Sequence, residues 1–269
     1  MKRKDILTKN LFKKERIDEI DLLRGFPIFL VVLYHFCWSF VSLIYLFSNS
    51  QEMLFQYRNL NDFVNFLNQD ILGSDLIHTL LVPIFSGMFI FVCGISSIFT
   101  RSNTRRALLL WSGALLITVC TMAATYISKE DCYIDFGVLH LMAFSVSIYA
   151  VLELLFKKLF KRKVPIQVCL IIAFGIFFFS IIVYSGYNPF TGKNFTPWGT
   201  VFLDNKPMPI DRYVQNPSAF FLEALGKYGG WTDWWSIFPY TGVFFAGVSL
   251  GKYLYEEKRK SIMPWLDKI

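Results

Sequence analysis

Six stretches of the chain, residues 26–47, 76–99, 107–127, 135–156, 166–187 and 236–255, are almost continuously apolar. Runs of about twenty residues match the roughly 30 Å hydrocarbon core of a bilayer, at about 1.5 Å of rise per helical residue. Backbone groups in lipid find no water to bond, so such runs become helices. The apolar residues come in blocks and not at amphipathic spacing, which argues against a soluble helical domain. Of the 269 residues, 54% are hydrophobic and 17% charged, against about a quarter charged in a soluble domain. The fold class expected is therefore an all-α integral membrane protein, a bundle of about six transmembrane helices.

The basic residues orient that bundle. Segments 1–25, 100–106, 157–165 and 252–269 hold eight, three, five and five Lys or Arg, 21 in all. The other connections hold Arg58, Lys129, Lys193, Lys206, Arg212 and Lys227, six in all. The asymmetry predicts both ends in the cytoplasm, in a multi-pass protein of the cytoplasmic (plasma) membrane. The net charge of +7 then reflects topology and contacts with anionic membrane lipid, and no nucleic-acid partner is expected. Segment 1–25 reads as a basic cytoplasmic arm, 26–255 as the membrane domain and 256–269 as a cytoplasmic tail. The arm is polar and no small-residue cleavage pattern follows the first apolar run, so a cleavable signal is not expected. The five cysteines (Cys37, Cys93, Cys120, Cys132, Cys169) are odd in number and form no CxxC, so neither a disulfide framework nor a metal site is expected.

Two connections on the outer side are long. Residues 48–75 mix Phe55, Phe63, Val64 and Phe66 with Asn and Asp, which suits a short interfacial helix. Residues 188–235 are rich in Pro, Gly, Asn and Trp, and connections of that length are usually functional or mobile.

Ionisable groups at membrane depth are costly and mark functional candidates. His35 is the clearest, within "RGFPIFLVVLYHFCWSF". Eleven positions at about 100° each bring it back to within roughly 20° of Arg24, so the two share a helix face. The rise between them is roughly 16 Å, which sets Arg24 at the inner boundary and His35 near mid-membrane. Asp21, Ile28, Ser39 and Ser42 fall on nearly the same stripe. The competing reading is a packed histidine with a snorkelling arginine. His140, near the outer end of the fourth stretch, is placed to share a cavity with His35, or else makes a structural hydrogen bond. His78 reads as interfacial. Gly87 and Gly94 with Ser86 and Ser97, and Gly247 with Gly251, Gly242 and Ala246, read first as surfaces for close helix packing. Trp198, Trp231, Trp234 and Trp235 beside Asp233 read as an aromatic belt, or as flat faces beside a carboxylate for a sugar. The tracts Arg101/Arg105/Arg106 and 157–163 are required by topology alone.

These residues also resemble a known group. "RIDEIDLLRGFPIFLVVLYHF", "IFVCGISSIF", "IDFGVLHLMAFS" and "ALGKYGGWTDWWSIFPYTGVFFAGVSLGKYL" are similar, in order, to blocks of the bacterial membrane family related to the catalytic domain of heparan-alpha-glucosaminide N-acetyltransferase. The Arg24-to-His35 spacing is similar to that of membrane acyltransferases that modify cell-surface sugars. The resemblance implies a transferase moving an acyl group, acetyl above all, from cytoplasmic acetyl-CoA to an extracytoplasmic sugar or glycolipid of the cell envelope. His35 and His140 are then the catalytic candidates. Arg24, Asp21, Arg105 and Arg106 are the candidates for the CoA thioester, and Asp135, Asp233, Trp234 and Trp235 those for the acceptor. With six helices the chain is a minimal core, or one that completes its donor site as a homodimer. Two rivals stand beside this: a small transporter or lipid flippase relaying protons through histidines, and a non-catalytic membrane subunit.

Overall fold

The computed structural model describes residues 18–47, 58–67, 69, 82–128, 134, 136–184, 235 and 237–255, and among these no residue is in a strand. Among the described residues, seven α-helices carry the fold: α1 (Asp18–Phe47), α2 (Arg58–Asn65), α3 (Val82–Ser97), α4 (Asn103–Ser128), α5 (Val138–Leu155), α6 (Ile166–Tyr184) and α7 (Ile237–Tyr255). Each of the six apolar stretches overlaps one of them, and α2 is the short helix expected within 48–75. Segments Glu19–Val41, Asn103–Ile127 and Val138–Phe160 are long and apolar enough to cross a membrane, and Ile84–Ser97 and Ile166–Ser180 are shorter apolar helices. Leu108, Leu115, Leu116 and Val119 of α4 and Ile171, Phe174 and Phe178 of α6 are exposed. Outward apolar faces of that extent suit hydrocarbon and not water. This is an all-helical membrane protein.

Two compact units divide the chain: Met1–Phe89 with Glu257–Ile269, and Ile90–Glu256. In the first, α1 runs thirty residues without a break past Pro27, about 45 Å, so the helix outlasts the hydrocarbon core. Its continuous apolar run begins only about two turns in, at Phe26, which is why composition alone starts it too late. One stripe of α1, Tyr34, Cys37, Phe40, Val41 and Ile44, packs on Val64 and Leu67 beyond the α1–α2 connection. Phe40 meets Phe63 edge-on, and Phe26 meets Phe85 of α3 in the same way.

In the second unit α7 is the central helix. Gly94 lies against the backbone of Phe244, Gly247 against that of Phe91, and Gly251 against Ile95, while Gly242 faces Ala173 and Ile176 of α6. Missing side chains are what let these backbones approach. On the α5 side, Ser145 bonds Thr241 (3.2 Å) and Tyr149 stands edge-on to Phe245. Helices α4 and α5 pair antiparallel, joined by Asn103–Glu153 (3.0 Å), Trp111–Ser147 (3.1 Å) and Thr118–His140 (3.1 Å). Polar bonds between apolar helices fix register, because the alternative in hydrocarbon is an unsatisfied group.

Candidate functional site

The first unit holds the arginine–histidine helix. Asp21, Ile28, His35 and Ser39 are exposed and Arg24 is half-exposed, so the predicted stripe from Asp21 to Ser39 forms one accessible face of α1; the Ser42 side chain lies outside what is described. Arg24 Nη1 donates to Asp21 Oδ1 at 3.3 Å. That pair is open on both sides and contributes at most about 1 kcal/mol. The His35 ring stands edge-on to Tyr34 at 5.9 Å. Among the described residues its imidazole makes no hydrogen bond.

His140, in the second unit, has the opposite environment. It is buried, with its ring between Trp111 and Phe136. The Gly137 backbone N–H donates to Nδ1 (3.3 Å), which leaves Nε2 to carry the proton toward Thr118 Oγ1 (3.1 Å). The Thr118 hydroxyl donates in turn to the Ile134 carbonyl (3.2 Å), and Thr121 Oγ1 accepts the Ile134 N–H (3.2 Å). Gly137 starts α5 and has no side chain to cap it. His140, three residues on, turns back to do so, as a capping-box residue does. Both of its nitrogens are engaged in holding the α4–α5 turn. His140→Ala is expected to lower stability by about 1–3 kcal/mol by orphaning a buried N–H, and His140→Gln to recover most of that loss. Thermal unfolding of the detergent-solubilised variants measures both, and equal losses would refute the capping role.

At the opposite end of this unit lies a polar cluster that no sequence motif announces. Asn103, the first residue of α4, donates through Nδ2 to the Ser97 carbonyl (2.9 Å) and to Glu153 Oε2 (3.0 Å). Arg106 donates to Ser97 Oγ (3.0 Å) and Cys93 Sγ (2.8 Å). Tyr149 also hydrogen-bonds Glu153, and the buried Lys252 acts on that carboxylate through its charge. Three helices and the end of a fourth are thus tied at one point. Glu153 is an acid inside an apolar run, the same signal that singles out His35. Asn103 carries no such signal, since its partner lies fifty residues away.

The remaining candidates divide simply. Arg105 is exposed at the surface of α4, whereas Arg106 turns inward to α3. The Trp235 backbone N–H donates to the Phe136 carbonyl at 3.0 Å, and its ring crosses Tyr240 at 4.8 Å. That ties the start of α7 to the turn that His140 holds. Asp135, Asp233, Trp234, Trp198, Trp231 and His78 lie outside the described residues.

Compared with known proteins, the chain matches the family model described as heparan-alpha-glucosaminide N-acetyltransferase, catalytic, over residues 16–67 and 53–268. No curated protein and no solved structure matches it significantly. The two matched stretches take in every helix described above and both histidine environments. Carried on apolar helices, the match supports a membrane acetyltransferase-like function: the chain belongs to the family of the heparan-alpha-glucosaminide N-acetyltransferase catalytic domain.

Proposed function

We propose that the protein transfers an acyl group, acetyl in the first instance, from cytoplasmic acetyl-CoA to a sugar or glycolipid on the far side of the plasma membrane. The observation that carries this reading is the family match across residues 16–67 and 53–268. The contrast between the two histidines favours His35 over His140 for the chemistry. A general base needs an available lone pair and access to its substrate. His140 has both nitrogens engaged; His35 is exposed on α1 and, among the described residues, makes no hydrogen bond that must break first.

In this reading His35 takes the proton of an acceptor hydroxyl or amine as that atom attacks the thioester carbonyl. The C–S bond breaks, and the thiolate leaves with the proton returned by the imidazolium. An acyl-histidine formed by direct attack is the variant of the same scheme. Arg24 suits the phosphates of the donor, being planar, always charged and able to bind phosphate through two parallel bonds. Asp21 orients it. His140 keeps a positioning role, and Trp235 with the turn it joins belongs to the acceptor side.

The donor assignment is tested by thermal unfolding of the solubilised chain with CoA and acetyl-CoA. A ligand at a hundred times its Kd adds about 2.7 kcal/mol to the native state, a shift of a few degrees in Tm. We expect that shift for the parental protein and its loss in Arg24→Ala. No shift with either thioester or thiol, together with donor-independent movement of sugar or lipid across vesicles, would replace the enzyme by a transporter.

A further inference from the structure

The cluster at Asn103 has an unanswered hydrogen-bonding demand. Both N–H groups of the Asn103 amide are committed, one to the Ser97 carbonyl and one to Glu153. Those two acceptors fix which way round the amide sits, since its oxygen cannot face either of them. The Oδ1 atom is left over, fully buried and without a hydrogen-bond partner among the described residues, on a side chain only 2% exposed. It does not cap its own helix, because Ser102 does so: the Arg105 N–H reaches Ser102 Oγ (3.3 Å) and the Arg106 N–H the Ser102 carbonyl (3.2 Å). A buried acceptor left unmet costs about 1–3 kcal/mol, and such groups are ordinarily satisfied.

What the cluster lacks is a donor, and what stands beside it is a source of donors. Arg106 lies one turn along α4 and touches the same residue, Ser97. A guanidinium has five N–H groups, and its bonds to Ser97 and Cys93 use two. Arg106 is half-exposed, so its long side chain forms the open edge of an otherwise closed cluster. An acceptor with no donor next to a cation with donors to spare is complementary to a secondary amide. The ligand's N–H would meet Asn103 Oδ1 and its carbonyl would meet Arg106. An anion alone would leave Oδ1 unmet and lie against Glu153.

We propose that Asn103 and Arg106 recognise one secondary amide in the arm of the thioester donor, the arm of CoA carrying two such groups. The proposal rests on the acyl-CoA reading above and adds to it a reason for requiring CoA over a simple acyl thioester or acyl phosphate. It uses residues of the second unit only, and assigns Asn103 to donor selection.

The experiment compares equilibrium binding of CoA, pantetheine, adenosine 3′,5′-bisphosphate and two CoA analogues, each methylated on one arm nitrogen, to the full chain in detergent. N-methylation removes a single donor, so the decisive comparison needs no altered protein and no assumption that a variant folds. We expect one methylated analogue to bind at least tenfold more weakly than CoA. In Asn103→Ala, CoA should weaken by a similar factor and the discrimination should vanish, with the adenosine bisphosphate bound equally by both proteins. If both methylated analogues bind like CoA, Oδ1 holds only a water molecule and the proposal is overturned. A loss in Asn103→Ala that falls on the adenosine fragment overturns it as well. If neither CoA nor pantetheine binds the parental chain, the donor reading fails and takes this inference with it, whereas CoA bound without amide discrimination refutes this inference alone.

Discussion

His35→Ala is expected to lower acyl transfer by at least a hundredfold while leaving thermal unfolding of the protein within about 0.5 kcal/mol of the parent. Proton transfer by a positioned side chain contributes roughly 10²–10⁴ in rate, which sets the first figure. The second follows from the environment of the residue: His35 is exposed, and away from buried contacts a substitution changes stability little. The ring contact with Tyr34 is the aromatic contact it gives up among the described residues. His140 reverses the pattern, since His140→Ala strips a cap and a bond to Thr118 from a buried turn. Its loss should register in stability and, in His140→Gln, leave transfer near the parental rate. The readout is label from acetyl-CoA recovered on a sugar acceptor, with Tm measured on the same preparations. Equal activity of His35→Ala and the parent would remove His35 from the chemistry. Collapse of both activity and stability in that variant would make it a structural residue.

Much of this was legible in the residues themselves. Apolar blocks of bilayer length announce helices because hydrocarbon leaves a backbone no other way to satisfy its N–H and C=O groups. Each of the six stretches accordingly overlaps one. Starts were less legible. In α1 the segment before the apolar block is polar yet still helical from Asp18, because its Leu, Glu and Arg are good helix formers whatever the solvent. The stripe of Asp21, Arg24 and His35 was readable since helical phase is a matter of counting. The Asn103–Glu153 knot was not. A hydrogen bond across fifty residues leaves no periodic trace, and Lys252, buried at that knot, looks in sequence like any basic residue marking a cytoplasmic end. The same holds for His140, whose spacing to Gly137 fits a cap but whose partner Thr118 lies on another helix.

The small residues of α3 and α7 lead to the other large effect. A Cβ built on Gly247 would overlap the carbonyl oxygen of Phe91, and one built on Gly94 would overlap that of Phe244. Each helix thus offers a glycine to the other's backbone. The obstruction in both cases is a main-chain carbonyl held in its own helix, which cannot swing aside as a side-chain tip would. Alanine at either position must push the helices apart and loosen the contacts around it. Overpacking of this kind typically costs 1–3 kcal/mol and occasionally more, while the higher helix propensity of alanine returns about 0.5–1 kcal/mol. The steric term wins, so Gly94→Ala and Gly247→Ala should each destabilise by about 2 kcal/mol. Gly113 of α4 and Gly175 of α6 provide the internal control, since nothing lies within 4 Å of a Cβ at either, and there alanine should be neutral or stabilising. Because one separation relieves both overlaps, the double variant Gly94→Ala/Gly247→Ala should cost less than the two single losses added together. Thermal unfolding of the five proteins decides it: if Gly247→Ala tracks Gly113→Ala, the two backbones are not in contact at Gly247, and the close packing of α3 on α7 is wrong.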